Sequence, residues 1–149
     1  MLRFRLALCI GIIMGRYDGP DFECEDRDVV SIWIAKCSSD DIPNDYFEEN
    51  YSGDDDEPFN QFSTDFGFGY YDHDFVEAMA LGGSSPLEEI LNCSSYGKSF
   101  AKKATLSSET KETVHVFLMY NFEYKPEVTG IIESNFYKFI GVYDYDRNE

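Results

Sequence analysis

A chain of 149 residues that is 43% hydrophobic and 17% aromatic is long enough to bury one ordinary core and too apolar to be disordered throughout. Its 29 acidic against 12 basic residues give a formal net charge of -17, a sign that disfavours direct binding of nucleic acid, whose phosphates need basic side chains. No Lys or Arg occurs from residue 37 to 97, where fifteen Asp and Glu fall; such charges repel across a folded surface unless counter-ions or a basic partner compensate.

At the amino terminus Met1-Leu-Arg-Phe-Arg5 and the apolar run Leu6 to Met14 have the charged-then-apolar order of a secretory signal. The run is too short to span a bilayer, no small-x-small cleavage site follows it, and Leu-Ala-Leu-Cys9 is a poor lipoprotein box. Translation starting at Met14, or a short cytoplasmic tail, accounts for the same residues. Residues 15–28 are polar, with Gly19-Pro20 as a turn signal. Residues 1–27 are therefore expected to be a leader, disordered or upstream of the true start, and residues 28–146 a single domain. Cys9, Cys24, Cys37 and Cys93 lack CxxC or zinc-ligand spacing and read as reduced thiols, which favours the cytoplasm.

Val29 to Ala35 is β-branched and aromatic and predicts a buried strand with Trp33 in the core. Ser38 or Ser39 can cap a helix carrying Asp40 and Asp41 in its first turn, with Pro43 also near its start and Tyr46, Phe47 and Tyr51 partly inward. Ser52-Gly-Asp-Asp-Asp-Glu-Pro58 reads as an exposed loop, because four successive carboxylates repel in any regular element. Phe59, Phe62 and Phe66 recur at helical spacing and are expected to pack inward, with Gly67 and Gly69 ending the segment. A short helix follows Pro86, capped by Ser84 or Ser85, and a second helical piece is expected over Lys98 to Lys103. Glu112 to Phe122 is the clearest strand and Phe136 to Tyr145 another; the intervening Tyr124 to Gly130 permits a hairpin, with a short strand at Val128 to Ile132. The fold class that results is α+β: an antiparallel or mixed sheet of at least three strands, with helices packed mainly on one face.

The stretch GYYDHDFVEA, Gly69 to Ala78, gathers Asp72, Asp74 and Glu77 around His73, one of two histidines. As a metal site it lacks a compact cage: on a strand His73 points away from Asp72 and Asp74, and on a helix only His73 and Glu77 align. His115 sits in the apolar run Val114 to Met119 and reads as a hydrogen-bonded core or edge histidine. No GxSxG, HExxH, GxxxxGK[ST] or GxGxxG motif occurs, so catalysis has no motif behind it. If extended, the stretch presents Tyr71, His73 and Phe75 on one face and Asp72, Asp74 and Val76 on the other. Tyr71 and Phe75 are as compatible with the core as with a contact surface.

The blocks Val-Val-Ser-Ile-Trp-Ile34, Tyr-Phe-Glu-Glu-Asn-Tyr51, Phe-Gly-Phe-Gly-Tyr-Tyr-Asp-His-Asp-Phe-Val-Glu-Ala78, Ser-Ser-Tyr96 with Ser-Phe100, Met-Tyr-Asn-Phe-Glu-Tyr124 and Phe-Ile-Gly141 occur in the order of a known family. Together they cover about three-quarters of the chain, and their order is more specific than any one of them. On these residues the sequence resembles the immunity protein 22 family. Lys36-Cys37 departs from it, standing where a small polar residue is usual after the first strand. The resemblance implies a bacterial immunity protein of a polymorphic or contact-dependent toxin system, which binds and neutralises a cognate toxin, in several such systems a nuclease. It supplies no catalytic residues to carry over.

A nuclease needs a positive groove for phosphates, so a clustered acidic face on its inhibitor supplies steering and register. The expected partner-binding residues are Asp54, Asp55, Asp56, Glu57, Tyr70, Tyr71, Asp72, Asp74 and Glu77, with Phe59 a further aromatic anchor. No catalytic residue, metal or cofactor is expected, and no membrane partner. The alternatives are a metal-dependent enzyme using Asp72, His73 and Asp74, and a secreted or tethered acidic protein.

Overall fold

The computed structural model describes residues 19–49, 60–69 and 71–148. Strand β1, Val29–Ala35, is buried along its whole length, as a β-branched and aromatic run covered on both faces must be. It is an inner strand of an antiparallel sheet of order β2-β5-β1-β6, in which β2 is Val76–Met79, β5 Val116–Tyr120 and β6 Tyr137–Asp144. Strands β3, Ser85–Pro86, and β4, Glu112–Thr113, form a separate two-stranded ribbon. The α+β class read from the sequence is what the chain forms, and of the antiparallel or mixed sheet expected it is the antiparallel one.

Side-chain alternation divides the core into two. Trp33, Phe117, Met119, Tyr137 and Phe139 face a layer of rings supplied by Phe22, Tyr46, Phe62, Phe66, Phe68, Tyr71 and Tyr124. Val30, Ile32, Ile34, Val116 and Leu118 face helices α2, Leu87–Asn92, and α3, Ala101–Ser107. The six-residue helix α1, Gln61–Phe66, belongs to the aromatic side. In β6 the register slips between Ile32 and Trp33 of β1, which face Gly141 and Phe139, so Ile140 is bulged out. The slip changes the phase of the strand. Val142 then joins the aromatic face of Phe139, while Tyr143 and Tyr145 turn to the helical face.

Several elements differ from the sequence reading. β1 lies between β5 and β6, so these two strands run parallel to one another and their connection is a crossover, not a hairpin. Within that connection Val128 belongs to α4, Pro126–Thr129, instead of a strand; Pro126 opens it where an N–H is dispensable, and Gly130 closes it at φ 76. Ser38 does cap, accepting from the Asp40 N–H at 3.3 Å, but only a 3-10 turn over Ser39–Asp41 forms. Ile42 precedes Pro43, which excludes it from the helical region, and its ψ of 129 ends the turn. α2 begins after Pro86 with no side-chain cap, because the Ser84 and Ser85 hydroxyls go to Glu112 and the Gly83 carbonyl. The second helical piece, α3, starts at Ala101 and runs on to Ser107, leaving Lys98 in the preceding 3-10 turn.

Residues 22–24, ahead of β1, pack onto the domain. The Cys24 N–H donates to the Asn121 carbonyl and the Glu123 N–H to that of Phe22, both at 2.8 Å. The Phe22 ring is buried 5.4 Å from that of Tyr124.

Candidate functional site

One end of the sheet, where β1 and β2 begin and β5 and β6 finish, receives the stretch that begins at Tyr71. Tyr71 is 2% exposed, and its hydroxyl accepts from Asn60 Nδ2 at 2.7 Å. Asn60 also caps α1: its Oδ1 accepts from the Ser63 N–H at 2.9 Å, while the Ser63 hydroxyl accepts from the Asn60 N–H at 3.3 Å. Burial pushes the Tyr71 phenol up to about 12, so it stays neutral. The His73 ring stacks on Tyr71 at 5.2 Å, and its Nε2 lies 3.7 Å from Glu49. Glu49 and Asn60 flank residues 50–59, so the described residues on both sides of that acidic segment are held against His73 and Tyr71. Asp54, Asp55, Asp56, Glu57, Phe59 and Tyr70 themselves lie outside the described residues.

His73 to Phe75 is not extended. Asp72 caps a 3-10 turn over His73–Phe75, its Oδ1 accepting from the Asp74 N–H at 2.9 Å. The alternation expected of a strand therefore fails here: Tyr71 points into the core and Phe75 is 46% exposed. An Asp-x-Asp pair with a free N–H two residues on favours this local turn over extension.

Glu77, on β2, is tied inward. Its Oε1 accepts from the Ser95 N–H at 3.0 Å and its Oε2 from the Ser95 hydroxyl at 3.1 Å. The Tyr120 hydroxyl sits 2.9 Å from Glu77 Oε1 and 2.8 Å from the Ser95 carbonyl, and gives its single proton to one of them at a time. Burial and the Glu77 charge together hold the Tyr120 phenol far above its usual range. The carboxylate thus fastens β2 to the loop after α2.

Two hollows, one of about 350 Å³ and one of about 380 Å³, are both lined by Phe75, Val76, Tyr120 and Arg147. Glu23, Glu25 and Asp72 border the first; Asp74 and Glu77 border the second. Arg147 is already paired with Asp28 at 2.8 Å and lies 5.6 Å over the Tyr145 ring. Glu23 carries the cost of this arrangement: partial burial, then the charges of Asp21, Glu25 and Asp72, raise its carboxyl above the ordinary value. Sequence reasoning missed Glu23 and Glu25 by assigning them to a leader, and missed Arg147 by stopping the domain at residue 146. Phe22, an aromatic in an otherwise polar segment, was the available signal that the fold begins earlier.

The metal reading finds no cage. Among the described residues no group of three or more His, Cys, Asp or Glu is placed to hold an ion, and Asp72 and His73 are engaged with the Asp74 amide and the Tyr71 ring. Cys24, Cys37 and Cys93 are free thiols. His115 is a hydrogen-bonded histidine, its Nδ1 3.0 Å from the Tyr137 hydroxyl. No helix among the described residues is long and apolar enough to cross a membrane. Arg27, Lys36 and Arg147 pair with Glu123, Glu133 and Asp28, all outside the acidic segment 37–97.

A small α+β domain built on a four-stranded antiparallel sheet is what the fold defines. The family model described as Immunity protein 22 matches residues 30–146, and the chain belongs to that family. An immunity protein has a toxin as its partner. No curated protein and no solved structure matches the chain.

Proposed function

We propose that this chain is a cytoplasmic, non-enzymatic inhibitor that neutralises a cognate toxin of a polymorphic or contact-dependent system, and that the toxin is a basic nuclease. Family membership over residues 30–146 carries the reading of immunity. The acidic segment supports a basic partner: it carries fifteen Asp and Glu and no Lys or Arg, none of the cations in the Arg27, Lys36 and Arg147 pairs is spent on it, and a surplus of charge of one sign favours a surface of the other. Asp54, Asp55, Asp56, Glu57, Tyr70, Asp72 and Asp74 form the contact surface. Tyr71 and Glu77 serve it from beneath, Tyr71 by holding Asn60 and His73, Glu77 by holding β2.

The test is co-expression with the toxin domain encoded beside this gene. Co-purification as a stoichiometric complex, with cells protected and the toxin's nuclease activity lost on titration, is the expected result. A neighbouring toxin that binds but cleaves no nucleic acid would leave immunity standing and remove the nuclease. Absence of binding and protection would remove both.

A further inference from the structure

The two hollows share Phe75, Val76, Tyr120 and Arg147, so they adjoin and together make one groove with the half-exposed Phe75 ring in its lining. Five carboxylates border it, Glu23, Glu25, Asp72, Asp74 and Glu77, against one guanidinium that is already paired. What sets Phe75 apart is that its half-exposed ring stands among carboxylates, a pairing that suits a cationic partner able to lie on the ring. A second copy of this chain is the wrong occupant, since it brings the same net charge of -17.

We propose that this groove seats an arginine-bearing segment of the toxin, one guanidinium lying on the Phe75 ring while its N–H groups fork to the neighbouring carboxylates. The inference rests on the reading of the chain as a toxin-binding immunity protein and names where and how the toxin is held. Arginine fits better than lysine. Its planar group stacks on an aromatic face and presents donors matched to a carboxylate, whereas an ammonium is a compact, strongly hydrated point charge. Each hollow lies within the about 300–1,000 Å³ typical of pockets that bury a small ligand, so a long side chain has room. The Glu23 carboxyl, raised first by burial and then by the charges of Asp21, Glu25 and Asp72, agrees with this in its second part: a cation between Glu23, Glu25 and Asp72 offsets that repulsion. Phe75 is then the anchor that the sequence reading assigned to Tyr70, Tyr71 or Phe59.

The experiment titrates the full chain with hexa-arginine peptide and, separately, hexalysine peptide, following backbone amide shifts by NMR. Shifts confined to residues 22–25, 72–77, 120–122 and 145–147, saturating at lower hexa-arginine than hexalysine concentration, are expected. Phe75→Leu should abolish that preference while leaving the melting temperature unchanged, since the ring is 46% exposed. Shifts centred instead on Asp45 and Glu48, or identical responses to both peptides that Phe75→Leu does not alter, overturn the groove. The neighbouring toxin domain then separates the two readings. About tenfold or greater weakening by Phe75→Leu, the mark of a central anchor, supports the proposal. Unchanged toxin affinity in Phe75→Leu and in Glu23→Gln with Glu25→Gln overturns it while immunity stands. A toxin that fails to bind the wild-type chain overturns the immunity reading, whatever the peptides do.

Discussion

His115 is half-buried with Nδ1 against the Tyr137 hydroxyl, and burial lowers its pKa below the ordinary 6.5. The folded state therefore binds the proton less readily than the unfolded chain, and stability rises with pH across the interval between the two values. The contribution is complete above 6.5 and lost as pH falls through the folded pKa. Urea unfolding at about pH 5 and pH 7 should show the chain weaker at the lower value, and His115→Gln should flatten that difference. Glu23 runs the other way. Its folded pKa is raised, so ionisation costs stability at neutral pH and protonation restores it. Glu23→Gln should melt higher than wild type at neutral pH, the gain vanishing as pH falls through the glutamate range. Of the candidate site, the residues legible in the sequence were the carboxylates at Asp72 and Asp74, whose clustering needs no fold to be seen. The roles of Tyr71, Phe75 and Glu77 were not, because a single turn at His73–Phe75 decides which of them faces inward, and its cap is a local bond with no periodic signature.

Helix α1 has six residues, too few to persist alone, so its stability comes from packing. Phe62 supplies most of it, buried fully between Trp33 at 5.2 Å and Phe117 at 4.9 Å. Phe62→Ala should cost about 3–5 kcal/mol in denaturant unfolding. Asn60 does two jobs, capping α1 and satisfying the buried Tyr71 hydroxyl. Asn60→Ala should therefore cost about 0.5–1.5 kcal/mol for the lost hydrogen bond to the Tyr71 hydroxyl, beyond the cap itself. Tyr71→Phe should be cheaper in the Asn60→Ala background than in wild type, and a double-mutant cycle measures the difference; strict additivity would mean that the two side chains do not cooperate. At this scale β1, β5 and β6 were legible because an apolar run between charged flanks is a strong strand signal, as was the Ser38 cap. The pairing of β6 with β1 was not. A crossover is set by which strands meet in space, and the Tyr124 to Gly130 segment carries the same Pro and Gly whether it closes a hairpin or, as here, a one-turn helix.

For the molecule as a whole, a net charge of -17 acts at a distance that individual contacts do not reach. If that field recruits a basic toxin, association should slow steeply as salt shortens the screening length, from roughly 30 Å at 0.01 M to about 8 Å at physiological ionic strength, while dissociation changes less. The acidic groups should then sort by position. Replacing Asp54, Asp55 and Asp56 by Asn should act on the on-rate, as removal of charge that steers encounter at long range does. Replacing Asp72 and Asp74 by Asn should act more on the off-rate, since both border the groove around Phe75, where a partner's guanidinium would be desolvated; breaking one such buried pair costs about 2–5 kcal/mol. Glu77→Gln belongs to neither class. It removes the charge that accepts from Ser95 and Tyr120, so its first effect should be a lower melting temperature of the free protein, with toxin affinity falling only as far as β2 loosens. Stopped-flow association and dissociation at several ionic strengths, beside thermal melts of each variant, separate the three. Association that ignores salt, with both Asn variants binding as wild type, would reduce the acidity to a solubility property and move the toxin to another face.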